Sequence, residues 1–120
     1  MIKERLLALP NEIAEIKMEV LKKQEQAAEI RELMNQWELA EVDEIANAVD
    51  DKGKPVFSND AKRKAELEKR KNADERYIAW ARELKRLEHE IAEQNIILDK
   101  LYNEQGNLRA ICRLEGASND

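Results

Sequence analysis

The sequence predicts an all-α fold: an antiparallel two-helix coiled-coil hairpin with a short N-terminal helix, dimerising into a helical bundle. Three observations carry this. Charged residues make up 39% of the 120 positions and aromatics only 4%, while Ala, Leu, Glu, Lys and Arg dominate, a mix that favours long helices over a thick globular core. Two stretches repeat apolar residues in steps of three and four. A single break containing Gly and Pro separates them.

The elements follow in order. Residues 1–9 form a short helix, bent or broken at Pro10, whose missing N–H interrupts helical bonding. Helix A covers 11–50. Its stripe runs Ile13, Ile16, Val20, Ala27, Ile30, Met34 and Trp37, with Lys23 as the one charged position on it. After Trp37 the pattern slips by one residue and resumes at Val42, Ile45 and Val49, like a stutter in a coiled coil. The turn, 51–58, contains Gly53, free to take positive φ after a helix end, and Pro55, which cannot continue a helix. Val56 and Phe57 are apolar in this polar setting and are expected to plug the end of the helix pair. Ser58 or Asn59 caps the next helix, with Asp60 favourable in its first turn. Helix B covers 59–113, with a stripe at Tyr77, Trp80, Leu84, Leu87, Ile91, Leu98 and Leu101 that continues less regularly through Leu108 and Cys112. Gln94 and Gln105 interrupt it, and Gly106 is a point where the helix could end early. Residues 114–120 form a flexible tail.

A short connection between long helices implies an antiparallel pair. With the turn centred near residue 54 or 55, Trp37 falls opposite Asn72, Val20 opposite His89 to Ile91, and Leu6 and Leu7 opposite Tyr102. A lone pair buries only one narrow stripe per helix. Apolar residues off the seam, Leu21, Leu33, Leu39, Ile78, Ile96, Ile97 and Tyr102, offer a second interface, and a homodimer with two-fold symmetry is expected.

Charge is unevenly placed. Bases concentrate at the hairpin tip, at Lys52, Lys54, Lys62, Arg63, Lys64, Lys69, Arg70 and Lys71. One reading is a patch for phosphates or an acidic partner. The other is internal pairing: residues 38 to 51 hold six acids and no base, and the same register sets Glu41, Asp43 and Glu44 opposite residues 65 to 68.

Little catalytic chemistry fits. A single cysteine excludes a disulfide framework and cysteine-based zinc modules. His89 and Glu93 are spaced to share a metal on one helical face, but no second histidine exists, and no metal is expected. Cys112 has no nearby histidine and reads as a packing residue. Trp37, Trp80, Tyr77 and Tyr102 could stack on bases, yet three of them lie on the seam. Abundant carboxylates on an open helix pair lack the burial that would shift their pKa values. The chain is expected to be no enzyme, to need no cofactor, and to bind no small-molecule substrate. No apolar run approaches the roughly 20 residues of a membrane span. No signal peptide is evident, and the cytoplasm is the expected location.

The turn and its flanks, Gly53-Lys54-Pro55-Val56-Phe57-Ser58-Asn59-Asp60 through Leu67, resemble a segment of small uncharacterised coiled-coil proteins from bacterial phage and prophage regions. The resemblance implies a mobile-element origin and carries over no catalytic residue. The expected function is a non-enzymatic helical scaffold or protein–protein interaction module with an unknown protein partner. The alternative is a nucleic-acid-associated accessory factor in phage or host DNA replication or recombination, acting through the basic tip.

Overall fold

The structure, a computed structural model, describes residues 1–119, with side chains through Gly116. The chain is all-α. Helix α1 spans Ile2–Asn47, α2 spans Asp60–Ala73 and α3 spans Glu75–Asn119. No strand occurs among the described residues; the only sheet-like feature there is an isolated antiparallel bridge between Val49 and Pro55.

Several expected boundaries are corrected. Residues 1–9 are not a separate helix, because α1 passes through Pro10 without a break. The lost backbone bond costs about 3 kcal/mol in a helix interior, but both flanks are tied down. Arg5, before the proline, bonds Glu12 after it at 2.6 Å, and Leu9 is fully buried. Helix α1 ends at Asn47 rather than at residue 50, where the Asn47 amide donates to the Asp43 carbonyl.

The turn is correspondingly longer. Asp50 organises it by accepting from the Lys52 and Lys54 N–H groups at 2.8 and 2.9 Å. Gly53 takes φ +77°, the left-handed conformation that glycine adopts without steric cost. Val56 does not plug the helix ends. It is exposed, its N–H turned to the Ala48 carbonyl by the bridge, and Phe57 is only half-buried.

The single helix expected over 59–113 is two helices. Asn59 caps α2 by accepting from the Lys62 N–H. Asp74 then leaves helical geometry with ψ 117°. Its N–H still donates to the Arg70 carbonyl, closing α2, while its carboxylate accepts from the Tyr77 N–H at 2.8 Å, opening α3. One residue thus serves as the end of one helix and the cap of the next. At the other end, α3 continues through Gly106 and to Asn119, so residues 114–119 are helical rather than a loose tail. A helical glycine costs about 1 kcal/mol relative to alanine, which weakens a helix without ending it. Asp120 lies outside the described residues.

The chain divides into two compact units. One comprises Met1–Glu25 with the chain from Leu87 onward. Its core is Ile13, Val20 and Leu98, with Ile16, Ile91 and Leu101 packed against them. Leu87 is 1% exposed. The two segments run in opposite directions, since Arg5 reaches Glu104 whereas Lys23 reaches Glu90. A polar layer crosses this core: the Lys23 ammonium donates to Gln94 Oε1 at 3.0 Å, and the Gln94 amide donates to Glu19 at 2.6 Å. Lys23 and Gln94, two of the polar positions on the stripes, satisfy each other there.

The second unit is Gln26–Arg86. Ala27, Trp37 and Ile45 are buried, and Ile30, Met34, Tyr77, Trp80 and Leu84 are half-buried. Trp37 meets Asp74 and Tyr77 rather than Asn72, a shift of two to five residues from the expected register. The shift is not uniform, since Arg5 and Glu104 in the first unit keep the register expected from the turn. Val42 and Val49 are exposed despite lying on the resumed stripe, and only Ile45 of that group is buried.

Candidate functional site

The acidic end of α1 packs against α2, and this contact differs along its length. Toward the C-terminal end of α2 the charges are paired. Arg70 bonds Glu41 at 2.7 Å and Glu66 at 3.0 Å, with Glu44 at 3.1 Å. These partners hold the guanidinium protonated far above its ordinary value, the Glu41 hydrogen bond being the largest cause. Lys71 lies 2.9 Å from Glu38 and 3.5 Å from Glu68. Glu38 also accepts from the Tyr77 hydroxyl at 2.7 Å. The Lys71 and Tyr77 hydrogen bonds hold the Glu38 carboxyl below its usual range. In turn Glu38 raises Lys71, while burial, then Glu38, raises Tyr77.

Aromatic packing backs this network. Trp37 and Tyr77 meet with centroids 4.7 Å apart and planes tilted by 41°. The Trp37 indole N–H donates to Asp74 at 3.3 Å, and the Lys71 ammonium sits 5.7 Å from the Tyr77 ring centre. The Asp74 carboxyl is held low, first by the Tyr77 backbone N–H.

Toward the N-terminal end of α2 lies a groove of about 250 Å³, formed by Val42, Ile45, Ala46, Asp60, Arg63, Lys64 and Leu67. Its floor is apolar: Val42 is 48% exposed and Ile45 closes the bottom at 2%. Arg63 and Lys64 stand on its α2 edge. The Arg63 side chain donates to the Phe57 carbonyl at 3.2 Å, and Lys62 reaches Ser58 Oγ at 3.4 Å. Among the described residues, Lys62, Arg63, Lys64 and Lys69 make no ion pair. The groove therefore combines an apolar floor with a rim that carries two bases, Arg63 and Lys64, and one acid, Asp60.

The eight bases of the tip thus fall into two classes. Lys52, Lys54, Lys62, Arg63, Lys64 and Lys69 are exposed, while Arg70 and Lys71 are half-buried and spent on carboxylates. On the seam, Ile13, Val20, Trp37, Leu87 and Leu98 are buried, and Ile16, Ile30, Met34, Tyr77, Trp80, Leu84, Ile91 and Leu101 are half-buried. His89 is exposed with Nε2 2.7 Å from Glu93, and Cys112 is half-buried. Among the described residues no three His, Cys, Asp or Glu side chains are grouped to hold a metal ion. Among the same residues no helix is long and apolar enough to cross a membrane.

Sequence reasoning missed the groove and the role of Asp74. The second had a signal: Asp74 followed by Glu75 is a helix-start pattern inside an otherwise continuous helical stretch. The groove had none, because it depends on how α2 is rotated against α1. No protein-family model, curated protein or solved structure matches the chain.

Proposed function

We propose that the chain is a non-enzymatic helical scaffold, an antiparallel coiled-coil hairpin that pairs with a second copy and presents the α1–α2 end to a protein partner in the bacterial cytoplasm. The observation that carries this reading is the groove, with its apolar floor and the unpaired Arg63 and Lys64 at its rim. Such a surface suits a partner segment that inserts one apolar side chain and sets carboxylates beside it. An apolar anchor in a pocket with charges at the rim is the usual anatomy of a protein interface. The resemblance of residues 53–67 to prophage-encoded proteins supports a mobile-element setting.

Six exposed bases favour a second reading, phosphate contact by an accessory factor in DNA metabolism. With Arg70 and Lys71 engaged by carboxylates, fewer cations remain for it. Both readings are tested by affinity capture from bacterial lysate, with and without nuclease. The wild-type chain is compared with Val42→Arg, which fills the groove while adding positive charge. The expected result is a protein retained after nuclease, little affected between about 50 and 200 mM salt, and lost with Val42→Arg. Nucleic acid co-purifying with both proteins, and weakening steeply over that salt range, would overturn the scaffold reading.

A further inference from the structure

The first unit carries an exposed apolar strip on the outer side of α1. Leu7 is 78% exposed, Met18 54% and Leu21 45%. Ala14 lies between Leu7 and Leu21 on the same face, by the seven-residue spacing of two helical turns. Around Met18 the surface is a shallow depression, lined by Asn11, Ala14, Glu15, Met18, Glu19 and Lys22. The small Ala14 side chain leaves it open.

Its edges are distinct. Glu15 and Lys22, seven residues apart, share one edge; Ala14 and Leu21, also seven apart, share the other. Both charged residues are exposed, and among the described residues neither makes an ion pair. They are opposite in sign yet two turns apart, too far along the helix to meet in one chain.

A two-fold axis brings them together. We propose that α1 pairs antiparallel with α1 of a second copy about an axis through Met18. This rests on the homodimer reading above and fixes its geometry. Residues before Met18 then face residues after it, same edge to same edge. Glu15 lies about 4.5 Å before Met18 along the helix and Lys22 about 6 Å after it. Glu15 of each chain therefore meets Lys22 of the other, twice per dimer. On the opposite edge Leu21 covers Ala14 of the second copy, large against small. Two Met18 side chains meet on the axis, where an unbranched, adaptable residue can pack against its own image. The interface is isologous and closes at two chains.

The test is charge exchange read by analytical ultracentrifugation on the full chain. Glu15→Lys alone sets two ammonium groups against each other in both contacts, and Lys22→Glu alone sets two carboxylates against each other. Each single variant is expected to weaken self-association by about tenfold or more while keeping wild-type helicity, since both positions are exposed. Mixing the two variants recreates an opposite-charge heterodimer contact only where the two chains differ, so the like-charge pairs are replaced by one pair of unchanged residues and one pair of exchanged ones, each attractive. The mixture is therefore expected to recover the dimer. The double variant carrying both changes is expected to recover it alone. Singles that remain dimeric, or a mixture that stays monomeric, would overturn the Met18 axis while leaving a homodimer through another face. A wild-type chain that is monomeric throughout would overturn the homodimer as well.

Discussion

The two ends of α2 hold similar charge and use it differently. Arg70 and Lys71, near its C-terminus, are 24% and 19% exposed at the side chain and tied to five carboxylates. Lys62, Arg63 and Lys64, in its first turns, are exposed, and Arg63 and Lys64 border an apolar groove. Arg63 and Arg70, like Lys64 and Lys71, are seven residues apart and share a helical face. What differs is position along the helix: the last turns reach Glu38, Glu41 and Glu44 of α1, while Arg63 and Lys64 make no ion pair among the described residues. A dense run of bases in a sequence is therefore not one patch. Its members are sorted by position along the helix relative to the neighbouring acids, since residues seven apart share a face.

The largest expected effect falls on the paired end. Trp37→Ala removes a 9% exposed indole, its stacking on Tyr77 and its bond to Asp74, and should destabilise the second unit by about 3–5 kcal/mol in chemical denaturation. An unchanged midpoint would place the stability of this end elsewhere. Tyr77→Phe keeps the ring and loses only the hydroxyl bond to Glu38, for an expected loss of about 1 kcal/mol. A larger loss would mean that Glu38 cannot hold Lys71 without it.

The pH dependence sharpens the same contrast. Glu38 is depressed in the fold, so its contribution is present above its ordinary value of 4.5 and disappears as pH falls through the lowered value. Lys71 is raised, so its contribution is present below 10.5 and disappears as pH rises through the raised value. Hydrogen exchange should therefore show α2 loosening at both acid and alkaline extremes. The smallest effect is expected at Lys23. Lys23→Leu should change stability by under about 1 kcal/mol, because an apolar seam residue offsets the lost bond to Gln94. It should broaden the amide NMR resonances of the first unit if the polar layer selects its register.

Steps of three and four residues pick out side chains that lie buried or half-buried from Ile13 to Trp37 and from Tyr77 to Leu101, because a packed helix turns one stripe inward, but they mislead at Val42 and Val49, which are exposed. The same arithmetic sets Trp37 opposite Asn72, short of its real neighbours Asp74 and Tyr77. A pattern of apolar residues is blind to a one-residue interruption such as Asp74, where a carboxylate bond to the Tyr77 N–H replaces the helical one. Pro10 misleads in the other direction. A local breaker is overruled by Leu9 and by an Arg5 whose partners, Glu12 and Glu104, lie 7 and 99 residues away. The groove is not legible at all. Val42 and Leu67 say nothing singly, and only the packing of α2 on α1 sets them beside Arg63 and Lys64.

The most direct measurement compares two double neutralisations by urea denaturation. Arg70→Gln with Lys71→Gln strips the paired end, and Arg63→Gln with Lys64→Gln strips the groove rim. The first pair should lower stability by about 1–2 kcal/mol, and the second should leave it within about 0.5 kcal/mol. Equal losses from both pairs, or a greater loss from Arg63 and Lys64, would contradict the division of α2 into an end whose bases stabilise the fold and an end whose bases do not.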